Sequence, residues 1–196
     1  MPWKTPAGLA SLMLVLSMHS AVAERVDDWS VDGAHGVLHV HGALTESACR
    51  LDMTSARQTI ELGEIGTGRL LKVGDRGTPV AVSLRLYDCL RSGARHRDLR
   101  TGNLTWDLIQ PAVSVGFTAP ADVGSPSLIS VRGAAGLALR LTDADHQSVR
   151  LGSRGAPLLL SPGQNELIYY VVPERTSGPL IADAYQAYVD FWLNYD

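Results

Sequence analysis

The two cysteines of this chain, Cys49 and Cys89, are the residues whose type and spacing say most about chemistry. A cysteine serves as a nucleophile, a metal ligand or half of a disulfide, and the redox compartment decides among these roles. In an exported protein an isolated pair favours a disulfide, and two free buried thiols are the alternative. The disulfide would close a loop of about 40 residues and stabilise the fold by about 4 kcal/mol.

Three histidines, His35, His39 and His41, form a second cluster with possible chemistry. A metal site would need further ligands and hydrogen-bonded groups behind them, so histidines that face solvent or a partner are the favoured interpretation. The sequence contains no Gly-x-Ser-x-Gly elbow, phosphate-binding loop or His-Glu-x-x-His motif. We therefore expect no metal, no cofactor and no enzymatic activity.

A basic run at residues 91–100 follows the second cysteine. A solvated loop is the favoured interpretation of this run, and contact with an anion or a sugar is the alternative. The whole chain has a formal net charge of −3 at pH 7. Composition therefore gives no electrostatic support for nucleic-acid binding.

The first 23 residues have the pattern of a secretory signal peptide. A short start that contains Lys4 leads into an apolar run at residues 9–16, and Ala21-Val22-Ala23 matches a cleavage site. A membrane anchor is the alternative, but a bilayer span needs roughly 20 apolar residues and this run is shorter. We expect a signal peptide at 1–23, no membrane span after it, and an exported protein.

The elements that must position these residues are predicted to be strands. Apolar alternation marks candidate strands at residues 37–41, 59–62, 80–87, 113–117, 128–131, 137–141, 167–172 and 185–195. Glycine, proline, aspartate and asparagine mark the turns between them, and one short helical turn is expected near residues 69–73. Short strands at this spacing predict an all-β sandwich.

Both ends of the mature chain are strand-like and lack an obvious partner. In residues 24–36 one face would present Trp29, Val31, Gly33 and His35, and the other face alternates with aspartates. At the C-terminus Val189, Phe191, Leu193 and Tyr195 share one face. The pattern predicts that each end pairs with another chain, and a disordered leader is the alternative for residues 24–36.

Several stretches, in this order along the chain, resemble one known family. They are VHGALTESAC at 40–49, QTIELG at 58–63, LRLYDC at 84–89, GAAGLALRLTD at 133–143, GQNEL at 163–167 and the penultimate Tyr195. Together they are similar to subunits of chaperone–usher fimbriae of the type 1 and P-pilus class. The likeness covers nearly all of the mature chain.

The resemblance implies an incomplete immunoglobulin-like β-sandwich that lacks its final strand and is completed by donor-strand complementation. It implies a pilin domain at 37–196 whose groove, lined by Val189, Phe191, Leu193 and Tyr195, receives first a periplasmic chaperone and then the next subunit. It further implies that residues 24–36 are the donor strand, with Trp29, Val31, Gly33 and His35 as its inserted side chains. An outer-membrane usher would assist assembly of the adhesive cell-surface fimbria.

Two alternatives stay open beside this structural-subunit interpretation. The acidic leader with its tryptophan resembles minor subunits, including the kind that terminates and anchors a pilus. A stand-alone carbohydrate-binding sandwich is the alternative outside the family. One position also departs from the family pattern, because Asp183 stands where a glycine is usual, fourteen residues from the C-terminus.

Overall fold

The computed structural model describes residues 47–195 together with position 38. The predicted signal peptide, the predicted donor strand and the candidate strand at 37–41 lie outside these residues. Within them the chain is almost entirely β. The elements in chain order are β1 (Arg50–Leu51), α1 (Met53–Ala56), a 3-10 turn (Thr67–Arg69), β2 (Val80–Cys89), β3 (Ala94–Arg97), β4 (Leu104–Asp107), β5 (Ala112–Thr118), β6 (Ile129–Ser130), β7 (Leu137–Thr142), β8 (Leu158–Leu159), β9 (Gly163–Arg175) and β10 (Asp190–Tyr195).

The strands pair antiparallel in three groups. One sheet has five strands in the order β1-β2-β9-β7-β6, and a second has three strands in the order β10-β5-β8. Strands β3 and β4 form a separate hairpin. Strand β9 is the centre of the larger sheet, because it pairs with β2 along one edge and with β7 along the other.

The hydrophobic core contains side chains from both of the larger sheets. Alternate residues of each strand point inward, as the period-2 patterns predict. Phe117 of the three-stranded sheet meets Tyr169 of the five-stranded sheet edge-on, with ring centroids 4.7 Å apart. The cluster includes Leu84, Leu86, Val113, Val115, Phe117, Ile129, Leu139, Leu141, Leu167 and Tyr169. The predicted β-sandwich is therefore confirmed.

The strand predicted at residues 59–62 is wrong. The chain there has no regular structure, and side chains rather than a strand ladder hold the neighbouring backbone. The Gln58 amide nitrogen donates to the carbonyls of Ser55 at 3.1 Å and Ser83 at 2.9 Å. The helical turn expected near 69–73 lies two residues earlier, at Thr67–Arg69.

The basic run at 91–100 is not a simple loop, because it contains strand β3. Ala94 and His96 are buried, while Arg95 and Arg97 between them are exposed. The run therefore alternates like a half-buried strand, with small or aromatic residues inward and arginines outward. Its turn is held by Asp98, whose carboxylate accepts hydrogen bonds from the Arg100 and Thr101 backbone at 2.8 and 3.2 Å.

A buried carboxylate, Glu174 on β9, joins three segments of the larger sheet. It accepts hydrogen bonds from Arg140 of β7, one of them at 2.6 Å, and from Arg76 at 2.8 Å. Burial alone would raise the pKa of Glu174, but the hydrogen bonds and charges of Arg140, and then of Arg76, hold it below its ordinary value. Glu174 is therefore an ionised clamp between β7, β9 and the segment before β2.

Helices contribute little to the described part of the chain. The longest, α1, has four residues and begins where the Asp52 carboxylate accepts a hydrogen bond from the Thr54 backbone at 2.9 Å. Among the described residues, none of the helices has the length and apolar character that crossing a membrane requires.

Candidate groove beside the C-terminal strand

The C-terminal strand β10 pairs with β5 along one edge. The register sets Phe191 opposite Phe117, Leu193 opposite Val115 and Tyr195 opposite Val113. All three side chains of β10 therefore point into the core, as their alternation predicts. The rings of Phe191 and Phe117 lie 6.3 Å apart between centroids.

The other edge of β10 is the end of its sheet. In the order β10-β5-β8, no strand within residues 47–195 pairs with that edge. An edge strand presents unpaired backbone N–H and C=O groups, which are a template for another strand. Strand β1 is likewise at the end of the five-stranded sheet.

A cleft of about 530 Å³ lies between these two sheet ends, and we call it the β10 groove. One wall is formed by residues in and next to β1, and the other by β10 and the residue before it. The lining residues are Ser47, Cys49, Leu51, Ala56, Val189, Asp190, Phe191, Trp192, Leu193 and Tyr195. Most of the lining residues are apolar, Ser47 and Asp190 are polar, and the groove opens along the edge of β10 that no strand within residues 47–195 pairs with.

The burial of paired residues differs across the β10–β5 ladder. Val113, Val115 and Phe117 of β5 are buried, with exposed fractions of 0%, 2% and 4%. Their partners on β10 are only half-buried, although they also pack against the core. The core is therefore closed beneath β5 and incomplete beside β10.

Tyr195 lies where the last residues of β10 meet the start of the described chain. Burial raises the pKa of the Tyr195 phenol, and the neighbouring Ser47 hydroxyl partly offsets this rise. The Tyr195 phenol thus stays neutral at physiological pH. This end of the groove is therefore uncharged on both walls.

The disulfide predicted between Cys49 and Cys89 is present. Both cysteines are buried, and their Cα atoms are 4.1 Å apart. Next to the bond, the Leu90 backbone donates to the Ala48 carbonyl at 2.8 Å. Because Cys49 lines the groove and Cys89 ends β2, the disulfide fixes one groove wall to the larger sheet.

The terminal strand is shorter than predicted, since residues 185–189 are not part of it. The chain at residues 181–186 instead follows residues 132–135, with isolated bridges from Gln186 to Arg132 and from Ile181 to Ala135. Gly133 allows the close approach: it has a φ of +107°, and a Cβ on it would lie 1.9 Å from the Ala184 carbonyl oxygen. Backbone contact with another segment therefore replaces the ladder here.

Asp183 lies in this same segment and is exposed. Its carboxylate accepts a hydrogen bond from the Ala184 backbone at 2.7 Å. Its φ is not positive, so the backbone at this position does not require glycine. The departure from the family pattern is therefore accommodated locally.

The structure brings together the four predicted groove residues, Val189, Phe191, Leu193 and Tyr195. Their assignment as a binding surface remains a prediction. Sequence reasoning missed the opposite wall, which comes from Ser47, Leu51 and Ala56. The only signal for it was closeness to Cys49, because β1 has just two residues and shows no alternation.

The predicted donor residues Trp29, Val31, Gly33 and His35 lie outside the described residues, as do His39 and His41. Their roles stay predictions. Among residues 47–195, no group of three or more His, Cys, Asp or Glu side chains is arranged to hold a metal ion.

Comparison with known proteins gives a consistent family. A family model described as fimbrial protein matches residues 38–196. Fimbria A protein of Serratia marcescens is 27% identical over 169 residues, which cover 85% of this chain and 87% of that protein. The Pap fimbrial major pilin protein of Escherichia coli is 25% identical over 185 residues, which cover 89% of this chain and 95% of that protein.

Solved structures agree in fold. The crystal structure of the P pilus rod subunit PapA matches with a TM-score of 0.61 at 22% identity, over 76% of this chain and 100% of that one. A structure of a chaperone–usher pilus matches with a TM-score of 0.62 at 21% identity, over 85% and 99%. The fold is accordingly the incomplete immunoglobulin-like sandwich of these pilins. Because the family model spans most of the sequence and the folds agree, this chain belongs to the fimbrial protein family.

Proposed function

We propose that this chain is a structural subunit of a bacterial chaperone–usher fimbria and that it polymerises by donor-strand exchange. The observation that carries the proposal is the edge of β10 that no described strand pairs with, beside a groove lined mostly by apolar residues. Addition of a strand to an open sheet edge is an established mode of recognition, for which chaperone–pilin pairs are an example. The incoming strand would pair with β10 and cover Val189, Phe191, Leu193 and Tyr195.

Physical chemistry supports a strand rather than a small ligand in the groove. A strand satisfies the backbone groups of the β10 edge, which a small apolar molecule leaves unpaired. Burying about five apolar side chains, three on β10 and two on the donor, contributes on the order of 10 kcal/mol before the cost of ordering the incoming segment. A gain of this size is enough to hold a fibre together.

The donor is residues 24–36 of a neighbouring copy. In this segment Trp29 and Val31 alternate with Asp28 and Asp32. Inserting the first pair fills the groove with apolar surface, while a slip of one residue would bury the aspartates without partners. The sequence of the segment therefore specifies which face enters the groove and disfavours a slip of one residue.

The chain reaches its fibre through the periplasm, where a chaperone occupies the β10 edge and an outer-membrane usher directs the exchange. Its final place is a cell-surface fimbria that contributes to adhesion. The chain has no catalytic activity of its own, in keeping with a family of structural subunits. A pilus-terminating role is the second form of this proposal, and it requires a groove that a donor cannot enter.

The decisive experiment measures binding of a peptide with sequence 24–36 to the mature chain, residues 24–196, refolded with its disulfide formed. We expect the chain alone to aggregate and excess peptide to yield a soluble, more heat-resistant complex, here called the complemented chain. Phe191→Glu should abolish this rescue because it places a charge in the groove. Tyr188→Glu is the matched control, since Tyr188 is 70% exposed and does not line the groove.

Three outcomes would redirect the proposal. A chain that is a stable soluble monomer without peptide would contradict it and favour a stand-alone sandwich. Rescue that survives Phe191→Glu would remove the groove from the mechanism. A soluble chaperone complex that no donor peptide can enter would support the terminating role.

A further inference from the structure

The hairpin formed by β3 and β4 presents an exposed face with an unusual composition. In its register Arg95 stands opposite Trp106 and Arg97 opposite Leu104. These four side chains are exposed, whereas Ala94 and His96 on the other face of β3 are buried. We call this set of four residues the hairpin face. Two guanidinium groups therefore lie beside an indole and a leucine on one side of a two-stranded sheet.

Within residues 47–195, no ion pair neutralises the positive charge of the hairpin face. Among the described residues neither Arg95 nor Arg97 forms an ion pair with a carboxylate, and Arg97 donates to the Gly102 carbonyl at 2.7 Å. The nearby carboxylate of Asp107 instead accepts backbone hydrogen bonds from Ile109 and Gln110 at 2.7 and 2.8 Å. The hairpin is therefore a positive region on a chain whose formal net charge is −3.

A shallow cleft of about 510 Å³ adjoins this face. It is lined by Gly93, Ala94, Arg95, Leu104, Trp106, Asp107 and Leu108. Trp106 is 62% exposed and Leu108 is 81% exposed, so the apolar part of the cleft is open to solvent. A cleft of this volume matches one or two rings of a small ligand, for which sites of roughly 300–1,000 Å³ are typical.

We propose that the hairpin face binds an acidic polysaccharide. The planar guanidinium groups of Arg95 and Arg97 match the geometry of a carboxylate on the sugar. The indole of Trp106 offers a flat apolar surface with a polar rim, which suits the C–H face of a pyranose ring. Charge complementarity selects an anionic ligand, and the exposed indole beside the arginines selects a ring over an extended acidic peptide.

The test immobilises the complemented chain and measures binding of oligogalacturonate. Two matched probes separate the contributions of charge and ring. Methyl-esterified oligogalacturonate keeps the rings without the charge, and polyglutamate keeps the charge without the rings. We expect each matched probe to bind at least about tenfold more weakly than oligogalacturonate, because each lacks one of the two contacts.

Variants locate the site. Arg95→Ala and Trp106→Ala should each weaken oligogalacturonate binding by roughly tenfold, while Trp106→Phe should retain most of it. Arg150→Ala is the control, since Arg150 is exposed and lies outside the hairpin. The melting temperature of each variant checks that the fold is kept. Equal binding of polyglutamate would identify an acidic-peptide surface and overturn the proposal, as would absent binding or binding that Trp106→Ala leaves unchanged.

Discussion

The indole of Trp192 lies against Gly116, its register partner on β5, so closely that no side chain fits between them. A Cβ atom on Gly116 would lie 2.1 Å from Cζ2 and 2.2 Å from Cε2 of Trp192. Trp192 also lines the β10 groove. The absence of a side chain at position 116 therefore decides where the Trp192 indole lies against β5.

Gly116→Ala should displace the Trp192 indole and lower the free energy of unfolding of the complemented chain by roughly 1–3 kcal/mol, as overpacking does. Thermal or denaturant unfolding measures this change. Gly68→Ala is the matched control, because a Cβ there meets nothing within 4 Å. In the double variant Gly116→Ala/Trp192→Ala the two costs should be less than additive, since one removes the clash made by the other. Full additivity would show that the two residues do not interact.

Glu174→Gln should lower the free energy of unfolding at pH 7 by about 3 kcal/mol. The Arg140 side chain is mostly buried, and the substitution leaves its positive charge without a carboxylate partner. Denaturant unfolding of the complemented chain measures the loss. Glu166→Gln is the control: that carboxylate is exposed and lies 3.6 Å from Arg85, so little change is expected. A loss no larger than that of the control would contradict the clamp.

The same clamp predicts that the free energy of unfolding falls at acidic pH. Burial acts to raise the pKa of Glu174, but the two arginines hold it below the ordinary value of 4.5. The contribution of Glu174 is therefore present above pH 4.5 and is lost as the pH falls through the lowered pKa. Between neutral pH and pH 3 the wild-type chain should lose more stability than the Glu174→Gln variant. Parallel pH profiles would show that the carboxylate does not titrate in the clamp.

Removal of the Cys49–Cys89 disulfide should weaken both the fold and the groove. The double variant Cys49→Ala/Cys89→Ala should lose about 4 kcal/mol of unfolding free energy, because the unfolded chain gains conformational entropy when the loop is no longer closed. Because Cys49 lines the groove, affinity for the donor peptide should fall as well. Isothermal titration of the variant under conditions where it remains folded separates the two effects. An unchanged peptide affinity would mean that the wall keeps its position without the bond.

Asp183→Gly, which introduces the residue usual in the family, should not raise the stability of the complemented chain. It removes the acceptor for the Ala184 N–H at 2.7 Å and adds backbone freedom, so a loss of about 1 kcal/mol is expected. Asp183→Asn keeps an acceptor oxygen and should be nearly neutral. Melting temperatures of the two complemented variants make the comparison. A higher melting temperature for the glycine variant would show that Asp183 strains the segment before β10.

The long strands were predictable from the sequence because each buries one face. In β2, β5 and β9 the apolar alternation located the strands within a few residues, and it also set Phe191, Leu193 and Tyr195 on one side of β10. The pairing of Cys49 with Cys89 followed from their number and from export. These features depend on local pattern and composition, which a single sequence displays.

The remaining features depend on contacts between distant segments. Residues 59–62 have a strand-like composition, but Gln58 binds the neighbouring backbone through its side chain. Strand β3 was hidden because its inward residues are Ala94 and His96 rather than large apolar ones. The groove wall at Leu51 belongs to a two-residue strand, which is too short to show a period. Tertiary contacts decided all three.

The covalent link between Cys49 and Cys89 has a mechanical consequence. A force that pulls on the two termini is carried by the disulfide and does not extend the chain between Cys49 and Cys89, which are 40 residues apart in the sequence. Those residues would otherwise lengthen by roughly 130 Å when fully extended. A fibre built from this chain would therefore lengthen less per subunit when it is stretched, because the residues of β2 before Cys89 lie inside the loop that the disulfide closes.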